Sequence, residues 1–145
     1  MNIPDSIIRF LNYRDRSIEE IKRYLRRKSI CSESEIQPLI QALLDAGFAD
    51  DRRFSDNRIR YRMENGYGPF YIARELSGLG VPNHLFKPEL ARMDEQFAEA
   101  ARKYAGRLQN GKANNDPEKL ERRLLGRGFA TNQVKAALKS DDSVE

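Results

Sequence analysis

Cysteine and histidine occur once each in the 145 residues, and tryptophan not at all. A lone Cys31 cannot close a disulfide within the chain, which predicts a reducing compartment. With His84 as the one imidazole, a structural zinc site dominated by His and Cys is not expected. No apolar run approaches the roughly 20 residues of a membrane span, and the opening residues, with Pro4 and Asp5 in the first turn, lack the character of a secretory signal. The expectation is a soluble cytoplasmic protein with no membrane partner. A phosphate-cradling glycine loop ending in Lys-Ser/Thr is also missing, and Gly66-Tyr67-Gly68-Pro69 lacks the preceding strand that a nucleotide fingerprint needs. The adjacent carboxylates Asp50 and Asp51 diverge on a helix, where Asp50 is placed to cap the N-terminus and not to hold a metal. His84 and Cys31 both read as turn residues. The chain therefore offers no catalytic set, no cofactor site and no metal site, and it is not expected to be an enzyme.

What is there is charge, a third of all residues, with a net of +4. Residues 1–66 hold 13 Lys/Arg against 11 Asp/Glu, and residues 67–145 hold the same numbers, so there is no basic tail. The charge comes in blocks instead. Arg14 to Lys28 carries seven basic and three acidic residues, Glu33 to Asp51 five acidic and none basic, and Arg52 to Arg62 five basic and one acidic. On successive helices such blocks give faces of alternating sign.

Apolar residues recur at helical spacing: Ile21, Tyr24 and Leu25; Ile36, Leu39, Ile40, Leu43 and Leu44; Phe97, Ala101, Tyr104 and Leu108. Strand-like alternation is nearly absent. Ser17 with Glu20 forms a capping-box pattern, Pro69 and Pro117 suit the first helical position, and Gly47, Gly66, Gly80 and Gly128 each follow a periodic stretch as helix closers. About nine short helices and no sheet are predicted.

Aligned on the caps Ser17, Gly68 and Asp116, three segments superpose. Four residues on stand Ile21, Ile72 and Leu120; eight on, Leu25, Leu76 and Leu124; twelve on, the closing turns Ser29, Gly80 and Gly128; thirteen on, Ile30, Val81 and Phe129. With one extra residue near Cys31, the match continues through Ile36, Phe86, Val134 and then Ile40, Leu90, Leu138. The expected architecture is all-α: tandem three-helix repeats over 1–47, 48–92 and 93–139, stacked into a short, curved, elongated array, followed by a polar tail over 140–145. Units of about 50 residues bury little alone and stack on neighbours, offering a continuous surface in place of a pocket.

Three features suit such a surface. The second helix carries Lys22, Arg23, Arg26, Arg27 and Lys28; the fourth carries Arg52, Arg53, Arg58, Arg60 and Arg62, an arginine-only set suited to carboxylate or phosphate partners; and Tyr67 sits between two glycines, where it would staple the turn onto the following helix.

These segments resemble a known family. Arg14-Asp15-Arg16-Ser17 with Glu20-Ile21, Ala46-Gly47-Phe48-Ala49-Asp50-Asp51 with Arg53-Phe54, Gly66-Tyr67-Gly68-Pro69 with Ile72 and Glu75-Leu76, and Arg127-Gly128-Phe129 look like RecX, the bacterial regulator of the RecA recombinase. The sequence departs from the family pattern at Ile21, where Leu is usual, and at Ser29, where Gly is common. The resemblance implies a monomeric protein that lodges in the groove of RecA filaments on single-stranded DNA and lowers ATPase, strand-exchange and co-protease activity, with weak contact to the DNA itself. Arg23, Arg26, Arg27, Arg58, Arg62 and Tyr67 are the candidates for the partner-binding face. Two other readings fit three-helix units: a module binding DNA directly, as helix-turn-helix domains do, and an adaptor for an unrelated protein. No copy pairs basic residues with Asn or Gln on a reading helix, which disfavours the DNA module.

Overall fold

The structure, a computed structural model, describes residues 2–110 and 116–139; the polar tail read from 140 onward lies outside them. In chain order the helices are α1 (Asp5–Tyr13), α2 (Ile18–Arg27), α3 (Glu33–Asp45), α4 (Asp51–Glu64), α5 (Pro69–Gly78), a 3₁₀ turn (Asn83–Leu85), α6 (Lys87–Arg92), α7 (Asp94–Asn110), α8 (Pro117–Gly126) and α9 (Thr131–Leu138). No strand occurs among the described residues. The fold is all-α, as the spacing predicts.

Local chemistry accounts for the boundaries. Ser17 and Glu20 close the capping box in both directions, Glu20 N–H to Ser17 Oγ at 3.1 Å and Ser17 N–H to Glu20 Oε1 at 3.0 Å. Asp50 accepts from the N–H groups of Arg52 and Arg53, each at 3.0 Å. Gly47, Gly66, Gly80 and Gly128 all take positive φ. So does Ser29, at φ 50°, which shows that the first repeat keeps the left-handed turn without the glycine that suits it.

The repeat positions fill the interior: Ile21, Ile72, Leu25, Leu76, Leu124 and Phe86 are fully buried, and Leu120, Phe129, Val134 and Ile36 nearly so. They do not fill one uniform core. Ile7, Ile21, Leu25, Ile36, Leu39, Ile40 and Leu43, with Ala49 from the next segment, form a cluster of their own. A second cluster runs unbroken from Phe54 and Ile72 through Phe97 and Ala101 to Phe129 and Val134. The seams explain the split. Between α2 and the α4–α5 pair the contacts are polar: Ser17 Oγ donates to Leu79 O at 2.7 Å, Ile18 N–H to Asp51 Oδ1 at 2.9 Å, and Asn57 Nδ2 to Asp15 Oδ2 at 3.0 Å. Between α4–α5 and α7–α9 hydrogen bonds are joined by the buried apolar side chains of one shared cluster.

Candidate docking surface and the seams that shape it

The two seams follow one rule. Counting from the caps, residue 0 of one copy meets residues 11 and 12 of the next. Ser17 bonds Leu79 O, and an added Cβ on Gly80 would clash with Glu19. Correspondingly, Gly68 N–H donates to Arg127 O at 2.9 Å, and Phe70 N–H to Gly128 O at 3.0 Å. Gly68 is extended (φ −97°), so its glycine is not demanded by backbone conformation. The requirement is space: a Cβ there would fall far under 3.0 Å from Phe129 N and the Gly128 carbonyl.

Around this seam an arginine–tyrosine cluster assembles. Arg127 lies 3.7 Å over the Tyr67 ring and 4.5 Å over Tyr104, while its Nε donates to Gly66 O at 3.0 Å and its Nη2 to Asn65 O at 2.6 Å. A cation thereby plugs the C-terminus of α4, where the helix dipole favours it. Tyr67 stacks on Tyr71 at 4.2 Å, fastening the turn to α5 as the staple reading expects. Arg62 grips Glu75 with two bonds, 2.9 and 2.7 Å, and Arg58 reaches the same carboxylate at 3.6 Å. The structure thus brings Arg58, Arg62 and Tyr67 together, but half-buried and turned onto Glu75 and each other, where they join α4 to α5.

The α2 candidates stand apart from this cluster. Arg26 pairs with Glu33 on the surface, Nη2 to Oε1 at 3.0 Å. Arg27 is exposed with its guanidinium 5.5 Å from the Tyr24 ring centroid. Arg23 lies 3.9 Å from Glu19 and donates to Gly78 O at 3.3 Å, reaching across the first seam.

Residues missed by spacing arguments include Asp51 and Arg127. Asp51 is 8% exposed and caps α2 from the next segment; burial pushes its carboxyl up, against the hydrogen bond from Ile18 N–H. Glu20 shows the opposite balance: burial works against its carboxylate, but bonds from Arg14 and Ser17 hold it below the usual range. Nothing in the pattern flags Asp51 beyond its adjacency to the cap. Arg127 could have been found from the repeat register, since it falls eleven residues after Asp116, where Leu79 sits in the preceding copy. Cys31 is half-buried; burial, then Glu35 and Glu33, push its thiol up, the reverse of what a nucleophile needs. His84 is exposed in the 3₁₀ turn. Among the described residues no helix is long and apolar enough to cross a membrane.

A sequence model described as "RecX, second three-helix domain" matches residues 50–86, the stretch from the α4 cap to the residue before α6. A curated relative, "Regulatory protein RecX" of Xanthomonas axonopodis pv. citri (strain 306), is 30% identical over 131 residues, covering 88% of this chain and 80% of that protein. The chain belongs to the RecX family. A RecX relative from Halorhodospira halophila is 29% identical over 143 residues, 97% of this chain and 88% of its own length. The crystal structure of RecX from Lactobacillus salivarius superposes with a TM-score of 0.81 at 23% identity, covering 97% of this chain and 94% of that one, which shows a shared fold. RecX proteins are regulatory proteins and not enzymes, and this chain is one of them.

Proposed function

We propose that this RecX protein binds RecA and its filaments on single-stranded DNA and restrains recombinase, ATPase and co-protease activity. It acts in the cytoplasm as a monomer built from three-helix units over 1–47, 48–92 and 93–139. The observation that carries this reading is the near full-length likeness to RecX regulators, in sequence and in fold. The surface is also patterned for docking. Each unit offers the partner its own patch, so weak contacts add through effective concentration, and binding favours a filament over a free subunit. Of the six candidate residues, Arg23, Arg26 and Arg27 contribute from an exposed helix face, while Arg58, Arg62 and Tyr67 hold α4 and α5 in position.

The test is to add purified protein to RecA assembled on single-stranded DNA and follow ATP hydrolysis and filament length. Both should fall. No change at several-fold excess would overturn the reading, and a tight, steeply salt-dependent affinity for bare duplex would point to direct DNA binding.

A further inference from the structure

Six residues after each cap the three copies carry the same side chain: Arg23, Arg74 and Arg122. All three are exposed, on α2, α5 and α8. Among the described residues neither Arg74 nor Arg122 has a carboxylate within ion-pair distance, and Arg23 has a long 3.9 Å approach to Glu19. They differ in this from Arg58 and Arg62, which share the Glu75 carboxylate.

The three arginines hold one repeat position in successive copies, and the first of them reaches across a seam. Arg23 donates to the carbonyl of Gly78, and Gly78 lies one turn beyond Arg74 on the same face of α5. Gly126 holds the same repeat position on α8, one turn beyond Arg122. Gly78 and Gly126 close their helices without positive φ, and a Cβ added to either would meet nothing within 4 Å. Internal packing asks for glycine at neither place, so the bare backbone beside each arginine is room for an approaching partner. Large apolar side chains share the face. Phe70, one turn before Arg74, is 63% exposed, and Leu125, three residues after Arg122, is 40% exposed.

Resting on the proposed function, we infer that the row Arg23–Arg74–Arg122 is the docking face, and that it takes a protein surface carrying carboxylates beside apolar side chains. Arginine beside exposed Phe is a pairing enriched in protein–protein contacts. A phosphate-tracking groove instead sets cations among aromatic stacking platforms and gives an exposed Leu no role. One cation per repeat suits a partner that presents the same acidic group at intervals, as a protein filament does.

The experiment compares wild type, R74E/R122E, F70A/L125A and, on α9, K135E. Co-sedimentation with RecA on single-stranded DNA is read beside binding to that DNA alone. The replaced side chains are exposed, so circular dichroism and melting should match wild type. R74E/R122E should bind the filament at least about ten-fold more weakly, F70A/L125A should also weaken filament binding, and K135E should bind as wild type. Wild-type affinity in R74E/R122E would overturn the docking face while leaving the proposed function standing. Equal losses by R74E/R122E on filament and bare DNA, with F70A/L125A unaffected, would make the row a phosphate site and overturn the protein partner. Failure of wild type to co-sediment would refute the proposed function, and the partner assignment with it.

Discussion

Replacing Gly68 by Ala probes the seam between the second and third repeats with a single methyl group. The new Cβ would sit against the peptide joining Gly128 and Phe129, well under 3.0 Å from its atoms. Backbone on both sides leaves no flexible side chain to move, so relief requires the two turns to part by about 1 Å. Gly68 N–H to Arg127 O, at 2.9 Å, and Phe70 N–H to Gly128 O, at 3.0 Å, would then stretch beyond hydrogen-bonding range. Two such bonds at about 1 kcal/mol each, together with about 1–3 kcal/mol for overpacking, give a loss of about 3–5 kcal/mol. For a chain of this size that lowers the melting temperature by roughly 10–15 °C. Differential scanning calorimetry with urea titration measures it, and Gly78→Ala supplies the internal control. There a methyl group meets nothing and helix propensity improves, so stability should rise by roughly 0.5–1 kcal/mol. If G68A melts within a degree or two of wild type, or if both variants shift alike, the close-approach argument is wrong.

Three further outcomes follow from the same geometry. Ser29→Gly relieves a left-handed residue and should stabilise the protein by roughly 0.5–1 kcal/mol after the added freedom of the unfolded chain is deducted, read from the urea midpoint. Ser17→Ala removes both the α2 cap and the bond to Leu79 O, so a loss of about 2 kcal/mol is expected; unchanged stability would detach this side chain from the first seam. Asp94 and Asp51 should show opposite pH dependences in chemical denaturation. Bonds from Asn132 and Gln133 hold Asp94 below its ordinary 3.8, so its contribution is present above that value and lost as pH falls through the lowered one; the deficit of Asp94→Asn should therefore shrink in acid. Burial raises Asp51 above 3.8, so its contribution is complete below that value and lost as pH rises through the raised one; Asp51→Asn should gain on wild type between acid and neutral pH.

The two carboxylates at 50 and 51 show where sequence legibility stops. Asp50 acts on N–H groups two and three residues away, and its role can be read from position alone. Asp51, its neighbour, acts on Ile18, 33 residues away, which no local pattern encodes. Arg58 and Arg62 likewise find a partner that no local pattern encodes. Their spacing announces a cationic face, and Glu75 on the next helix, 13 residues from Arg62, offsets part of that charge.

The sequence by itself determined the helices, their caps and closing turns, the threefold repeat and the identity of the core. Each of these depends on hydrogen bonds within about four residues or on one apolar face per helix, and both leave a periodic trace. Only the tertiary structure decided that the first repeat keeps a separate core, that Gly68 is needed for contact and not for conformation, and which arginines remain free. Those outcomes hang on contacts such as Ser17 with Leu79, 62 residues apart, where docking of one turn against another selects the partner and periodicity is silent.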